Sequence, residues 1–252
     1  MIEVIRDAGT DYLFAGLLAK ELESRPFPID LKLFIEPRVK GPYYFTQDGR
    51  IEKPDQKGNI EFCFYTQPSQ REEMCEVFGK NCALVTYAAD PLIHYQHLEI
   101  PKTYDVGFIG KPGGDDRNMY LDALSHSGLK FFNSETIDGG AIAYELSKCK
   151  VLFNHVRYVD VNLRFFEEMA IGCQLVNYNK YLKLFGIEGV HYLTCNDPKD
   201  MVRMLKELLN DHPRVIEYIS INARSHFLSN HTYAHRATAI INHLKEYLCL
   251  SP

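Results

Sequence analysis

The stretch that most limits what this chain can fold into runs from Lys150 to Val176. Val151, Leu152 and Phe153 form a short apolar run, which suits a strand buried on both faces of a parallel sheet. Residues 154–160 are mostly polar and hold Asn154, His155 and Arg157. Asn162 can cap a following helix and Gly172 can end it. Cys173 to Val176 then reads as the next buried strand. Strand, polar loop, capped helix and strand make a βαβ unit, so the chain is expected to be an α/β protein built on parallel sheet.

In such a unit, ligands bind at the loop after the strand and at the N-terminus of the helix, where unpaired N–H groups and the helix dipole favour an anion. Here that edge carries Arg157, Asn162 and Arg164, with Glu167 about one turn further in. A cationic first turn followed by a carboxylate suits a nucleoside diphosphate. The arginines would hold phosphate, and the carboxylate would accept the ribose hydroxyls. On spacing alone, an ordinary amphipathic helix with an Arg164–Glu168 pair at i, i+4 accounts for the same residues.

The rest of the chain continues the pattern. Ile2 to Ile5 reads as a strand and Tyr12 to Leu22 as an amphipathic helix, with Gly9 in the turn between them. Ile29 to Ile35 suits a second strand. Residues 38–58 are polar and rich in Gly and Pro, with a hairpin signal at Asp48-Gly49 and the aromatic run Tyr43-Tyr44-Phe45. They read as a hairpin or surface excursion. Ile60 to Tyr65 and Cys82 to Tyr87 are strands on either side of a helix ending near Phe78. Val106 to Ile109 leads into a glycine-rich turn from Gly110 to Arg117 that carries Lys111 and Arg117 but lacks dinucleotide and P-loop spacing. Further strands are expected at residues 129–133 and 190–194. Asp197-Pro198 opens a helix, with the Asp as cap and Pro at its first position. His231 and His235, at i, i+4, can bind a metal or serve in packing and capping.

Several of these motifs occur in an order that resembles a known family. Asn162-x-Arg164-x-Phe166-Glu167-x-x-Ala170-x-Gly172 resembles the core motif of GT-B nucleotide-sugar glycosyltransferases, and is nearest to the spore-maturation (CgeB-like) group. Tyr104 to Gly110 resembles the first strand of their C-terminal lobe, and Ala88-Ala-Asp-Pro91 their crossing between lobes. Asp197-Pro198 and residues 231–236 resemble their closing helices. The resemblance implies two Rossmann-like lobes. A small N-terminal acceptor lobe would span residues 1–90, a nucleotide-sugar lobe 91–230, and a closing helix at 231–252 would pack back on the first lobe. It implies transfer of a sugar from a nucleoside-diphosphate sugar to an unidentified acceptor, with retention at the anomeric carbon. Related retaining enzymes pair the second glutamate with an earlier one, and the position where that partner of Glu167 would fall is Val159. The resemblance assigns charge stabilisation on the leaving diphosphate to Arg164, Arg117 and Lys111. It assigns donor contacts to Gly110, Asn162, Arg164, Glu167 and Gly9. No D-x-D metal motif stands in the candidate site, where Asp115 and Asp116 are adjacent, so no cofactor or required metal is expected.

Composition narrows the alternatives. In 252 residues, 46% hydrophobic content supports a sizeable core. A net charge of −5 counts against a protein that grips nucleic acid by bulk electrostatics, although a glycosyltransferase acting on a nucleic-acid base stays as an alternative. A second alternative is a nucleotide-sugar-binding or subunit protein without transferase activity. Seven cysteines, none in C-x-x-C spacing, read as reduced thiols of a cytoplasmic protein. No apolar run approaches a membrane span, and the N-terminus runs straight into a strand pattern with no sign of a signal peptide.

Overall fold

The structure is a computed structural model that describes residues 1–6, 12–35, 43–46, 60–135, 137, 141–156 and 160–250. Gly9, Arg157, Val159 and the Asp48-Gly49 turn lie outside the described residues. The chain forms two compact units. One takes Met1–Ala88 together with Thr232–Pro252, the other Ala89–His231. Each has a five-stranded, all-parallel sheet among its described residues.

The first unit comprises β1 (Ile2–Arg6), α1 (Tyr12–Glu23), β2 (Leu31–Ile35), β3 (Tyr43–Thr46), β4 (Phe62–Tyr65), α2 (Arg71–Phe78), β5 (Cys82–Leu84) and α8 (Tyr233–Tyr247). Its strands lie in the order β1-β2-β3-β4-β5. Ala15, Leu18 and Leu22 on α1 repeat at helical spacing, as do Ala237, Ile240, Ile241 and Leu244 on α8. These two stripes pack with Ile2, Leu33 and Phe64 into one core. The Tyr43–Thr46 segment corrects the sequence reading. It is no hairpin or surface excursion but a central strand, parallel to β2 on one side and β4 on the other. The aromatic and β-branched run that looked like an excursion is strand-forming chemistry inside a polar, Gly- and Pro-rich region. His235 also resolves toward capping. Its Nδ1 lies 2.7 Å from Thr232 Oγ1, and the two residues form a capping box at the start of α8.

The second unit comprises β6 (Tyr104–Ile109), α3 (Asp115–Ser125), β7 (Phe131–Ser134), α4 (Ile142–Ser147), β8 (Cys149–Asn154), α5 (Leu163–Ile171), β9 (Gln174–Asn177), β10 (Leu193–Cys195), α6 (Pro198–Asn210) and α7 (Pro213–Asn230). The strand order is β10-β9-β8-β6-β7. Chain order therefore reverses between β6 and β8. The connections leaving their carboxyl ends diverge there, which makes this the switch point where parallel sheets leave a crevice for a ligand. Val106, Phe108, Val151 and Phe153 face one core with Met201, Leu205 and Ile219. Cys149 and Leu152 face another with Ile142 and Leu146. This two-sided burial explains why the strands read as continuous apolar runs. Asp197 caps α6 by accepting from the Asp200 N–H at 2.8 Å, with Pro198 at the first helical position.

Gly107 marks the tightest approach in this sheet. A Cβ there would stand 2.5 Å from Cys149 Sγ and 3.0 Å from its Cβ. Gly107→Ala is expected to cost about 1–3 kcal/mol in urea denaturation. Replacing Cys149 by Ala in the same chain should return part of that loss, because it removes the nearer of the two clashing atoms.

Candidate functional site

The site is built from the two loops at the switch point. After β6 the chain runs through Gly110, Lys111 and Pro112 to Gly113 and Gly114, whose φ values of 120° and 75° favour glycine. This turn delivers α3 with its N-terminus at the carboxyl edge of the sheet. The Gly113 N–H donates to Asn118 Oδ1 at 3.0 Å, which ties the turn to the helix it starts.

Arg117 leaves the first turn of α3 and joins the two loops. Its Nη1 donates to Lys111 O at 2.7 Å and its Nη2 to His155 O at 2.9 Å. The guanidinium lies 5.7 Å from the centroid of the Phe108 ring. Gly110 leaves room for this arrangement, since a Cβ there would sit 3.1 Å from that ring and 3.8 Å from Arg117 Nη1. The structure thus gathers Gly110, Lys111 and Arg117 in one place, with the Lys111 side chain exposed.

The β8 end is held by polar residues, of which the sequence reading gave a role only to Asn162, as helix cap and donor contact. Asn154 and Asn162 exchange two side-chain hydrogen bonds, of 3.1 and 2.9 Å. Asn162 Oδ1 also accepts from the Phe165 N–H at 2.9 Å, as an N-cap does. Asn177, at the end of β9, brackets Val156. It accepts from the Val156 N–H at 2.6 Å and donates to the Val156 carbonyl at 3.2 Å. His155 is buried, with Nε2 2.9 Å from Asp116 Oδ2, and its burial lowers its pKa despite that carboxylate. Three asparagines and one histidine therefore fix the two described ends of the loop. Polar residues at strand ends are common enough that spacing alone could not single them out.

The helix α5 is buried at every residue from Phe165 to Ile171. It is no amphipathic surface helix. Arg164 does not pair with Glu168, as the i, i+4 reading had it, but with Glu167, at 2.7 Å between Nη1 and Oε2. The other Glu167 oxygen lies 3.2 Å from His94 Nε2. Glu167 is 2% exposed and His94 0%. Burial alone would raise the Glu167 pKa, but Arg164 and His94 outweigh it and hold the carboxyl below its ordinary value. Glu168 is the opposite case. It is 0% exposed, neither oxygen has a hydrogen-bond partner, and burial pushes its pKa up to about 8. The carboxylate placed on the surface by sequence is a buried acid whose proton is held far above the ordinary carboxyl range.

Arg164 and Glu167 are thus brought together. Lys111, Arg117 and Gly110 form a neighbouring group, linked to the first through the Asn154–His155 turn. His94 is the participant that the sequence did not disclose, because its partner Glu167 lies far along the chain. Among the described residues, no three His, Cys, Asp or Glu side chains stand together in a way that could hold a metal ion.

The Glu168 shift sets a pH dependence. Its folded pKa of about 8 lies above the ordinary 4.5, so the unfolded chain releases this proton first. The penalty tied to its ionisation is absent below pH 4.5, grows as pH rises to about 8, and stays level above that. Glu168→Gln mimics the protonated acid. The variant should match the parent near pH 4.5 and gain stability over it with rising pH, by up to about 1.4 kcal/mol per unit. Chemical denaturation of the two proteins across that range is the measurement.

The sequence matches the model of the glycosyl transferase-like family over residues 109–242. No curated protein matches it by sequence. Among solved structures, sucrose-phosphate synthase from Thermosynechococcus elongatus is similar in fold. It has 12% identity and a TM-score of 0.63, covering 94% of this chain and 78% of that one. HepE from Anabaena, solved in complex with UDP-glucose, has 10% identity and a TM-score of 0.64, covering 97% of this chain and 79% of its own. A glycosyltransferase from Rickettsia africae has 8% identity and a TM-score of 0.63, covering 99% and 77%. Identities this low carry the fold alone. The family match spans more than half of the sequence and takes in both loops of the switch point, and the chain belongs to the glycosyl transferase-like family.

Proposed function

We propose that the chain is a GT-B glycosyltransferase that takes a nucleoside-diphosphate sugar, with UDP as the favoured nucleotide, and passes the sugar to an acceptor. The observation that carries this reading is the cationic edge at the switch point. There Arg117 holds the loops after β6 and β8 together, and the capped N-terminus of α5 opens beside them. The unit Ala89–His231 would be the donor lobe and the other unit the acceptor lobe.

Sugar transfer leaves negative charge on the departing diphosphate. Groups aimed at that charge before it develops lower the barrier most. Lys111 is the exposed cation of the set and would meet the phosphates directly. Arg117 and Arg164 would add fixed positive charge, and the α5 dipole would act in the same sense. Glu167 braces Arg164. It keeps the ribose-binding role of the family motif only by exchanging a protein partner, His94 or Arg164, for the hydroxyls. Retention at the anomeric carbon remains the family expectation.

Three measurements test the reading. Thermal-shift titration with UDP, GDP, ADP and dTDP should show stabilisation by at least one of them, UDP foremost. None at millimolar concentration would overturn the proposal. Lys111→Ala should weaken nucleotide binding by roughly threefold to tenfold, with a smaller salt dependence and an unchanged melting temperature without ligand. Donor turnover should survive excess EDTA, since these cations would supply the charge stabilisation. Loss of activity that manganese or magnesium restores would show a metal role instead.

A further inference from the structure

Outside the candidate site, the first unit brings two cysteines together that the sequence separates. Cys75 lies near the end of α2 and Cys82 opens β5. Between them, Gly79 adopts φ 62°, a positive value that favours glycine, where the chain turns back at the helix end. Gly79 N–H donates to Cys75 O at 2.9 Å, and Asn81 N–H to Phe78 O at 3.0 Å. This closed turn sets β5 beside the last turn of the helix. The two sulfurs end 3.9 Å apart. Cys75 is exposed and Cys82 partly so. Cys82 also lines a pocket of about 500 Å³ together with Lys80, His243, Glu246 and Cys249.

We infer that Cys75 and Cys82 form a thiol–disulfide exchange site whose co-reactant is a low-molecular-weight disulfide of the glutathione type. A disulfide needs the sulfurs near 2.05 Å, and two side-chain rotations at contact distance can supply that approach. The Cys75 thiolate attacks one sulfur of the small disulfide and expels a thiolate, leaving a mixed disulfide on Cys75. Cys82 loses its proton and attacks the Cys75 sulfur, expelling the second small thiolate. The Cys75 and Cys82 thiols are oxidised to one disulfide, the small disulfide is reduced to two thiols, and the two protons pass to those products. The order follows from the environments. Burial and the Cys75 contact push Cys82 up to about 12, so the exposed Cys75 reacts first. Cys249 is exposed as well and lines the same pocket as Cys82, but among the described residues no sulfur–sulfur contact is found for it. It serves as the internal control.

Peptide mapping tests this directly. Trypsin cuts after Arg71 and Lys80, so Cys75 and Cys82 fall in different peptides of the full chain. After incubation with oxidised glutathione, the non-reduced digest should contain these two peptides linked to each other. Cys249 should carry a stable glutathione adduct, and dithiothreitol should reverse both changes. In Cys82→Ser, glutathione should remain on Cys75. In Cys75→Ser, oxidation of Cys82 should slow by roughly tenfold or more. Circular dichroism of both variants keeps a folding defect apart from a redox one. A wild-type chain that ends with glutathione on Cys75 and a free Cys82 thiol would overturn the inference. So would equal oxidation rates of Cys82 with and without Cys75.

Discussion

Burial of charge on one short helix governs the candidate site. Every residue of α5 from Phe165 onward is withdrawn from solvent, yet the helix carries two adjacent glutamates. An ionised carboxylate survives such burial only with a partner close by. Glu167 has two, one from its own helix and one from the segment that opens the second unit. Removing Arg164 would leave the Glu167 carboxylate in the interior without its guanidinium. Arg164 is therefore held from behind. In the proposed role, a guanidinium already fixed in place would lose less freedom on meeting a phosphate, which is how preorganised sites gain affinity and rate.

The two glutamates also show what a sequence can and cannot disclose. The strand of Val151 to Phe153, the Asn162 cap and the Gly172 terminus were legible, because each depends on neighbours a few residues away. The apolar strands were legible for the same reason, since burial on both faces writes itself as a continuous run. The side on which each glutamate faces was not. Helical geometry separates adjacent residues by about 100° but says nothing about which direction is solvent when the helix is buried all round. The surface reading of Glu168 assumed an exposed face that α5 does not have. β3 was missed in the opposite sense. Its strand-forming residues are few, and the Gly and Pro around them dominated the local signal.

The polar fixtures of the loops were hidden for a third reason. Asn154 and Asn177 act through reciprocal hydrogen bonds, with Asn162 and with the Val156 backbone, between positions at the ends of different elements. Nothing in their spacing repeats, so no periodicity marks them. Their effect is large nonetheless. Backbone groups beyond the last ladder bond of β8 would otherwise face the interior unpaired, at a cost of about 1–3 kcal/mol each. A binding loop needs that satisfaction more than most loops do, because a ligand can use only the N–H groups that stay free and fixed in direction.

The reach of the family motif differs from the reach of the electrostatics that support it. The match begins at residue 109, whereas His94 lies ahead of it. The motif contains the residues expected to meet a donor, and part of what holds them comes from outside it. His94 is itself fixed on its own segment, with Nδ1 3.3 Å from both the N and the O of Asp90. The segment following Ala88 therefore does more than carry the chain from one unit to the next. It supplies the second side-chain partner of Glu167, and through Glu167 it bears on Arg164. A residue can be central to a site in this way while touching no ligand, and contact geometry rather than motif membership identifies it.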